Sequence, residues 1–418
     1  PPGTEPTWQA AQVLSTVTSS GVSIQVAAKP EGDNLLHLAY FDNTDGQATT
    51  AEIYYSEIQL SDSGPVPVEE ETYLVSIDNS STLEMALDVS RVPVVTYRGG
   101  SGLNFCTQQQ SDLMFSMPSD SGWQEYMAAM GYNPRSPAQI LQDGMVGDVS
   151  AIAIDSQNRA HIIYTFLYEG CDSINHKFPD LRYVRLDATN PGASTEDEEI
   201  IQENDYPSFN VVGSDGHNSV GHHGAIVLDA DDRPIVFYGE KQSDHNSVVN
   251  HDYGLRWATK NGTTGEWGYD WIEKDVEVAA ISAAVAADGT IGVAYAILLD
   301  DEDEENNRYI LKYAEQDAEG NWNPVKADET ASVGTHCSLT FSTGNEPLIA
   351  YYAIKSHSGY DLKDLRFAWR DSAGWQQETV ASAGDIGWYN NLWVGADGNP
   401  HLVTYKMFSR EIRYYVKR

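Results

Sequence analysis

Basic residues are scarce in this chain: 25 Lys and Arg stand against 62 Asp and Glu, a net charge of −37 over 418 residues. That balance excludes nucleic acid as a partner, because phosphate binding needs a basic footprint. Anionic membrane surfaces are disfavoured by the same repulsion. Long apolar runs are missing as well. No stretch approaches the roughly 20 apolar residues of a membrane helix, so no transmembrane segment is expected. A signal peptide is also absent from this chain; PPGTEPT reads as a processed end, with residues 1–6 a short tether. A secreted or cell-envelope protein, tethered as a lipoprotein is, fits that start. Cysteine is reduced to Cys106, Cys171 and Cys337, an odd count that permits one disulfide and leaves one thiol or ligand. Methionine is sparse at 7, whereas Tyr reaches 24 and Trp 10. With many short Val/Ile/Tyr runs broken by Asp, Asn and Gly, this composition points to an all-β chain. Its 41 % apolar content suffices for a packed core and is too high for disorder.

What is abundant is internal repetition. Seven segments share one design: a turn rich in Asp, Asn or Gly, then a short strand ending in Tyr. They read EGDNLLHLAY, DVSRVPVVTY, DSQNRAHIIY, DADDRPIVFY, AADGTIGVAY, STGNEPLIAY and ADGNPHLVTY, closing at Tyr40, Tyr97, Tyr164, Tyr238, Tyr295, Tyr351 and Tyr405. A third strand follows each Tyr after a variable loop: AEIYYSE, DLMFSM, DLRYVR, GLRWAT, ILKYAE, DLRFAW and EIRYYV. A fourth closes most units, often opened by Trp, as in SGWQEYM, YDWIEK, GNWNPV and AGWQQETV. Each unit is thus a four-stranded antiparallel sheet of roughly 50 to 70 residues, the size of a propeller blade. The seventh unit stops at its third strand, EIRYYVKR. Its missing strand is at the other end of the chain, where TWQAAQVLS (Thr7–Ser15) reads like the sixth unit's GWQQETVAS. The expectation is a single seven-bladed β-propeller over residues 7–418, its last blade closed by the N-terminal strand, so that no sheet edge is left open.

This pattern resembles bacterial propellers built from BNR-like, sialidase-related repeats, over nearly the whole chain from Thr7 to Arg418. Full Asp-boxes are absent; SDSGW at Ser119–Trp123 is a partial form. The arginine triad of a sialidase cannot be placed in the sequence either. A second resemblance is narrower. DGHNSVGHHGAIVLDADDRPIVFYGEKQSDH is similar to a blade of propeller-type polysaccharide lyases, ulvan lyases among them. In that family a histidine before the inner strand and another after the second strand line the cleft, with Tyr and Arg assisting. By motif position His223 and His245 are the implied pair.

The repeat sorts the histidines. His37, His161 and His401 fall inside second strands and read as structural. The other eight fall in loops on the face shared by the approaches to the inner strands and the connections from second to third strand, where a rigid scaffold displays functional groups. The densest set belongs to the fourth blade: His217, His222 and His223 in its first loop, His245 and His251 in its second. By the Tyr offset, His336 of the sixth blade occupies the same slot as His223, with Cys337 beside it. Imidazole and thiolate at His222, His223, His251, His336 and Cys337 suit Zn²⁺ or another borderline metal. The alternative is loop histidines that never meet. The acidic run DDEDEENN (Asp300–Asn307) reads as a solvated loop or, alternatively, a Ca²⁺ site. Cys106 and Cys171 occupy similar loops of neighbouring blades, so a disulfide is open to them. In the insertion Ala128–Gly147, PAQILQ suggests a short helix, and Arg135 is a rare cation able to hold a carboxylate or sulfate. Trp388 and Tyr389, in GDIGWYNN, suit stacking on a sugar ring or packing over the channel.

Two function classes follow. The first is an extracellular polysaccharide-degrading enzyme, a lyase cleaving beside a uronate by β-elimination, with His223, His245, Tyr253 and Arg135 as catalytic candidates and Tyr360 as a further proton carrier. The second is a non-catalytic secreted or surface-anchored propeller that holds a protein, a glycan or a metal. A redox metalloenzyme ranks below both, because the histidines concentrate at blades four and six instead of spreading around the ring. A monomer is expected in each case.

Overall fold

The computed structural model describes residues 6–17, 26–32, 34–42, 50–61, 65–68, 72–78, 82–102, 110–129, 142–170, 180–191, 199–202, 219–241, 253–299, 308–317, 319–357, 360–382 and 384–418. Every regular element among them is a strand, and no helix long and apolar enough to cross a membrane occurs there. The strands form seven antiparallel blades, and the fold is that of a seven-bladed β-propeller. The chain divides into two compact units. One holds blades 1, 5, 6 and 7; the other holds blades 2, 3 and 4.

In the second unit, blade 2 contains Leu83–Leu87, Pro93–Gly102, Gln110–Ser119 and Gly122–Ala129. Blade 3 contains Gln142–Ile154, Arg159–Gly170, Asp180–Asp187 and Glu199–Gln202, and joins blade 2 through one parallel pair, Met145–Ser111. Blade 4 follows with Ser219–Leu228, Pro234–Lys241, Gly254–Lys260 and Trp267–Lys274. In the first unit, blade 1 is built on Val26–Glu31, Leu35–Asp42 and Thr50–Gln59. Blade 5 comprises Glu277–Val285, Ile291–Leu299, Arg308–Glu315 and Val325–Asp328. Blade 6 comprises Ser332–Phe341, Pro347–His357, Tyr360–Asp371 and Gly374–Ala381.

Blade 7 takes Ile386–Val394, Pro400–Lys406 and Glu411–Val416 from the C-terminal end and Gln12–Thr16 from the N-terminal end. The swap is held over its whole length. Gln12 pairs with Tyr414 and Thr16 with Glu411, and Trp8 bridges to Lys417. Thr7 and Arg418 exchange backbone hydrogen bonds of 2.7 and 3.0 Å.

All seven repeat tyrosines are at most 2 % exposed. A buried Tyr needs a partner for its hydroxyl, and two of them find it in the outer strand of the preceding blade. Tyr351 donates to Asp328 Oδ2 at 2.7 Å, and Tyr40 bonds Ser15 Oγ at 3.1 Å. A cation sits across the ladder in four blades: Arg182 opposite Tyr164, Arg256 opposite Tyr238, Lys312 opposite Tyr295 and Arg366 opposite Tyr351. The residues His37, His161 and His401 are buried. Each bonds a third-strand tyrosine through Nδ1 (Tyr55 2.6 Å, Tyr183 2.8 Å, Tyr414 2.6 Å) and a carboxylate through Nε2 (Glu31, Asp155, Asp397).

Outer strands clasp the blade before them. Trp267 packs edge-on to Tyr183 at 5.2 Å while its Nε1 donates to Glu199, which also takes Lys260. Trp8 repeats this with Phe367 at 5.2 Å, Glu378 and Lys417. Trp375 packs on Tyr313 at 5.4 Å, and Arg370 forks onto Glu315 with bonds of 2.8 and 3.0 Å. Trp8→Ala therefore removes the clasp that closes blade 7. Because Trp8 is half-buried, the cost is expected to be about 2–4 kcal/mol, somewhat below that of truncating a fully buried Trp, read as a lower urea midpoint with unchanged slope.

Candidate functional site

Inner strands in this fold carry an irregularity just where the approach from the preceding blade ends. In blade 6 the register slips between Val333 and Thr335 and again between Thr335 and Ser338, which leaves His336 and Cys337 in the bulge. In blade 7 it slips between Ile386 and Trp388 and between Trp388 and Asn391, which leaves Tyr389 and Asn390 out of register. Blade 4 has the matching slip between Val220 and Gly224, around His222 and His223. The shared slot of His223 and His336, read from the Tyr offset, is thus a bulge in both blades, and bulges re-aim side chains.

The backbone at blades 6 and 7 is strained to hold its groups. His336 (φ 52°), Asp385 (φ 57°) and Tyr389 (φ 51°) all adopt the left-handed region. That region is uncommon for non-glycine residues; Asp and His tolerate it better than most, a bulky Tyr does not, and such outliers gather at functional sites. Gly387, between them at φ 114°, makes the close approach possible. A Cβ there would lie 3.1 Å from the Tyr352 ring and 3.2 Å from the Asp364 carbonyl oxygen.

The side chains converge. The half-buried His336 ring lies 4.7 Å from Trp388, 4.8 Å from Tyr389 and 6.2 Å from Tyr352, centroid to centroid. Beneath it the buried Asp385 carboxylate accepts three bonds. Tyr352 OH (2.8 Å) and Trp388 Nε1 (2.6 Å) reach Oδ1, and Lys363 Nζ (2.9 Å) reaches Oδ2. Burial alone would raise the Asp385 pKa; the donors from Trp388, Lys363 and Tyr352 outweigh it and hold the carboxyl below the ordinary range. Burial pushes His336 down to about 4, against the opposing pull of Asp385, so its imidazole is neutral at neutral pH. Tyr389, half-buried, is pushed up to about 12 by burial and keeps its proton. Asn390 locks the two blades together, its Nδ2 donating to the His336 and Gly387 carbonyls at 2.8 Å each.

Cys337 leaves the same bulge toward blade 5. Its thiol is buried, 3.7 Å from the Ala294 carbonyl oxygen, and burial raises it to about 12. His336 faces the aromatic rings of blade 7, so the two side chains do not converge on one ion. Among the described residues no group of three or more His, Cys, Asp and Glu side chains is placed to hold a metal. Tyr253 and His223 are half-buried in the other unit. Arg135, His245, His251, Cys106, Cys171, the PAQIL part of PAQILQ and the run 300–307 lie outside the described residues, as do the side chains of His222 and Tyr360. Trp388 and Tyr389 were legible in GDIGWYNN. Tyr352, Lys363 and Asp385 were not singled out; their only signals are a second Tyr directly after the repeat Tyr351 and an acid directly before an inner strand.

No family model matches the chain, and no curated protein does. Solved structures do match. An ulvan lyase, described as a new family of polysaccharide lyase, superposes with a TM-score of 0.60 at 10 % identity, covering 97 % of this chain and 94 % of that one. The same lyase bound to -[GlcA(1-4)Rha3S]- gives 0.61 with the same identity and coverage. An α-L-arabinanase of Penicillium chrysogenum in complex with arabinobiose gives 0.50 at 8 % identity, over 99 % of this chain and 98 % of that one. At such identity the likeness establishes the propeller fold.

The depressed His336 pKa has a consequence for stability. The unfolded chain binds a proton there near pH 6.5 and the folded one only near 4. No penalty exists above about pH 6.5; it grows as pH falls and is complete below about 4. His336→Gln removes it. Between pH 6.5 and 4 the melting temperature of the variant should fall less steeply than that of the wild type, and parallel slopes would mean that His336 titrates normally.

Proposed function

We propose that the chain degrades an extracellular polysaccharide, cleaving beside a uronate by β-elimination at the blade 6–7 cluster. The observation that carries this reading is a neutral imidazole set among three aromatic rings, above a carboxylate already bound by three donors. Hydrolysis of a glycoside ordinarily needs two carboxyl groups, one to protonate the leaving oxygen and one to act as base or nucleophile. Asp385 is buried and committed to Tyr352, Trp388 and Lys363, so it serves as a positioning residue. Elimination needs a base for the C5 proton, an acid for the leaving O4 and a cation for the uronate carboxylate.

His336 takes the C5 proton. The C–H electrons form the C4–C5 double bond, the C4–O4 bond breaks, and O4 receives the Tyr389 proton. The products are an unsaturated uronate end and a free hydroxyl. Lys363, partly exposed and bonded to Asp385, is a cation of the cluster. A base of pKa about 4 is weak in the free protein, but an anionic substrate beside it raises that value. Trp388 presents its ring for stacking. The ulvan lyase and arabinanase neighbours, both propellers named for the glycans they act on, support the substrate class. Localisation outside the cytoplasm belongs to the same proposal.

The test is a screen of uronate polysaccharides for absorbance of the new double bond. His336→Ala should lower kcat by about 100-fold or more, the usual share of a general base. Asp385→Asn should raise KM more than it lowers kcat, by loosening Trp388. His223→Ala, in the matching bulge of blade 4, separates this site from the resemblance-based pair His223 and His245. Loss of activity in that variant alone would move the chemistry to blade 4. Binding without product in the wild type would favour the non-catalytic propeller. The Zn²⁺ proposal rests on His222, His223 and His251, and metal analysis of wild type and His223→Ala reads it directly; no step above runs through a metal. In the proposed site the acid limb of kcat/KM should fall near pH 4, where free His336 protonates, with the limb of kcat at higher pH.

A further inference from the structure

Blades 6 and 7 differ from the rest in one respect. Their connections between second and third strands span only residues 358–359 and 407–410, whereas the other five run to seven residues or more. The second of these turns carries Phe408, which at 76 % is the most exposed large apolar side chain among the described residues. It is held on all sides. Lys406 pairs with Glu411 to close the ladder, Arg410 N donates to Met407 O at 3.3 Å, and Arg410 itself adopts φ 55°. Val17 N, from the N-terminal segment, donates to Arg410 O at 2.8 Å. On the other side the turn is bonded to the candidate site: Met407 N donates to Asp385 O at 2.8 Å and Phe408 N to Gly384 O at 3.4 Å. Lys406 lies over Gly384, so close that a Cβ there would clash with its Cε.

We propose that Phe408 is a second stacking position, which takes a neighbouring ring of an anionic glycan whose reacting residue lies against His336, Trp388 and Tyr389. The inference rests on the glycan reading of that site. The backbone of a four-residue turn fixed at both ends has little freedom left to lose, so stacking on Phe408 has only its side chain to order. A pyranose offers an apolar C–H face to such a ring and hydroxyls to the water around it. The flanking Lys406 and Arg410 are two of only 25 basic residues in the chain, and they suit a carboxylate or sulfate on that ring. A stable protein interface buries about 1,000 Å² or more in total around an apolar core. The chain neighbours here are Lys406, Met407, Ser409, Arg410 and Glu411, and the one apolar residue among them, Met407, packs against the core.

The experiment measures kcat/KM and affinity for glucuronate–rhamnose-3-sulfate oligosaccharides of increasing length, with wild type, Phe408→Ala and Phe408→Trp. Wild type should gain with each added ring up to a plateau. Phe408→Ala should equal it on the shortest oligosaccharide that reacts and lose about five- to tenfold on longer ones, while Phe408→Trp retains the gain. No loss at any length in Phe408→Ala, or an equal loss at every length, overturns the proposal while leaving the glycan reading intact. Sedimentation at several concentrations covers a second copy as occupant: a wild-type dimer abolished by Phe408→Ala would assign the ring to self-association. A wild type that neither binds nor cleaves any of these glycans overturns the glycan reading, and this proposal with it.

Discussion

The phenol buried in every blade is the constraint on which the rest depends. Seven tyrosines at most 2 % exposed bring seven hydroxyls into the core. Each would cost a few kcal/mol if left without a partner. Tyr351 meets the demand by reaching Asp328 of blade 5, and Tyr40 by reaching Ser15 of the strand that completes blade 7. A blade of this kind cannot be satisfied alone. The Asp328 carboxylate in turn takes Arg366 at 3.1 Å, so one charge serves a tyrosine and the cation opposite it. Satisfying the core therefore ties each such sheet to its neighbour, and the outer-strand clasps of Trp8, Trp267 and Trp375 repeat the tie at the surface.

Much of this was legible because it recurs. The Tyr offset located all seven second strands, and the likeness of TWQAAQVLS to GWQQETVAS placed the N-terminal strand on blade 7. Repetition made each of these signals strong even though each motif alone is weak. The cross-strand cations were equally repetitive, in DLRYVR, GLRWAT, ILKYAE and DLRFAW, yet their role depends on which residue lies opposite, and pairing is not written in one strand. His37, His161 and His401 read as structural from their position alone. Their tyrosine partners come from a third strand and their carboxylates from the end of the inner strand (Glu31) or the turn after it (Asp155, Asp397), which no single segment reveals.

The candidate site was legible only in part, for a related reason. A functional site departs from the repeat, and reading by repetition discards departures. His336 stood out because it shared a slot with His223, and Trp388 and Tyr389 stood out as aromatics before an inner strand. Asp385, which bonds Trp388, Tyr352 and Lys363 at once, looked like one acid among 62. The pairing of His336 with Cys337 as ligands followed their adjacency in sequence. In a bulge, adjacent residues leave the strand in different directions, and the thiol turned toward Ala294.

Charge bears on how such a site would meet an acidic polymer. At −37 the protein repels a polyanion at long range. Screening limits that repulsion: the Debye length is about 8 Å at physiological ionic strength and about 3 Å at 1 M salt. Beyond a few such lengths the net charge is not felt, and contact is decided by the groups at the mouth of the site. Three cations stand there, Lys363 against Asp385 and Lys406 and Arg410 on the turn bonded to it. An acidic shell thus works with salt: it keeps the protein soluble and raises the barrier to non-specific capture of polyanions, while the short-range cations retain their effect. Low ionic strength would reverse the balance, since the field of the shell then reaches past the local positive groups before the polymer arrives.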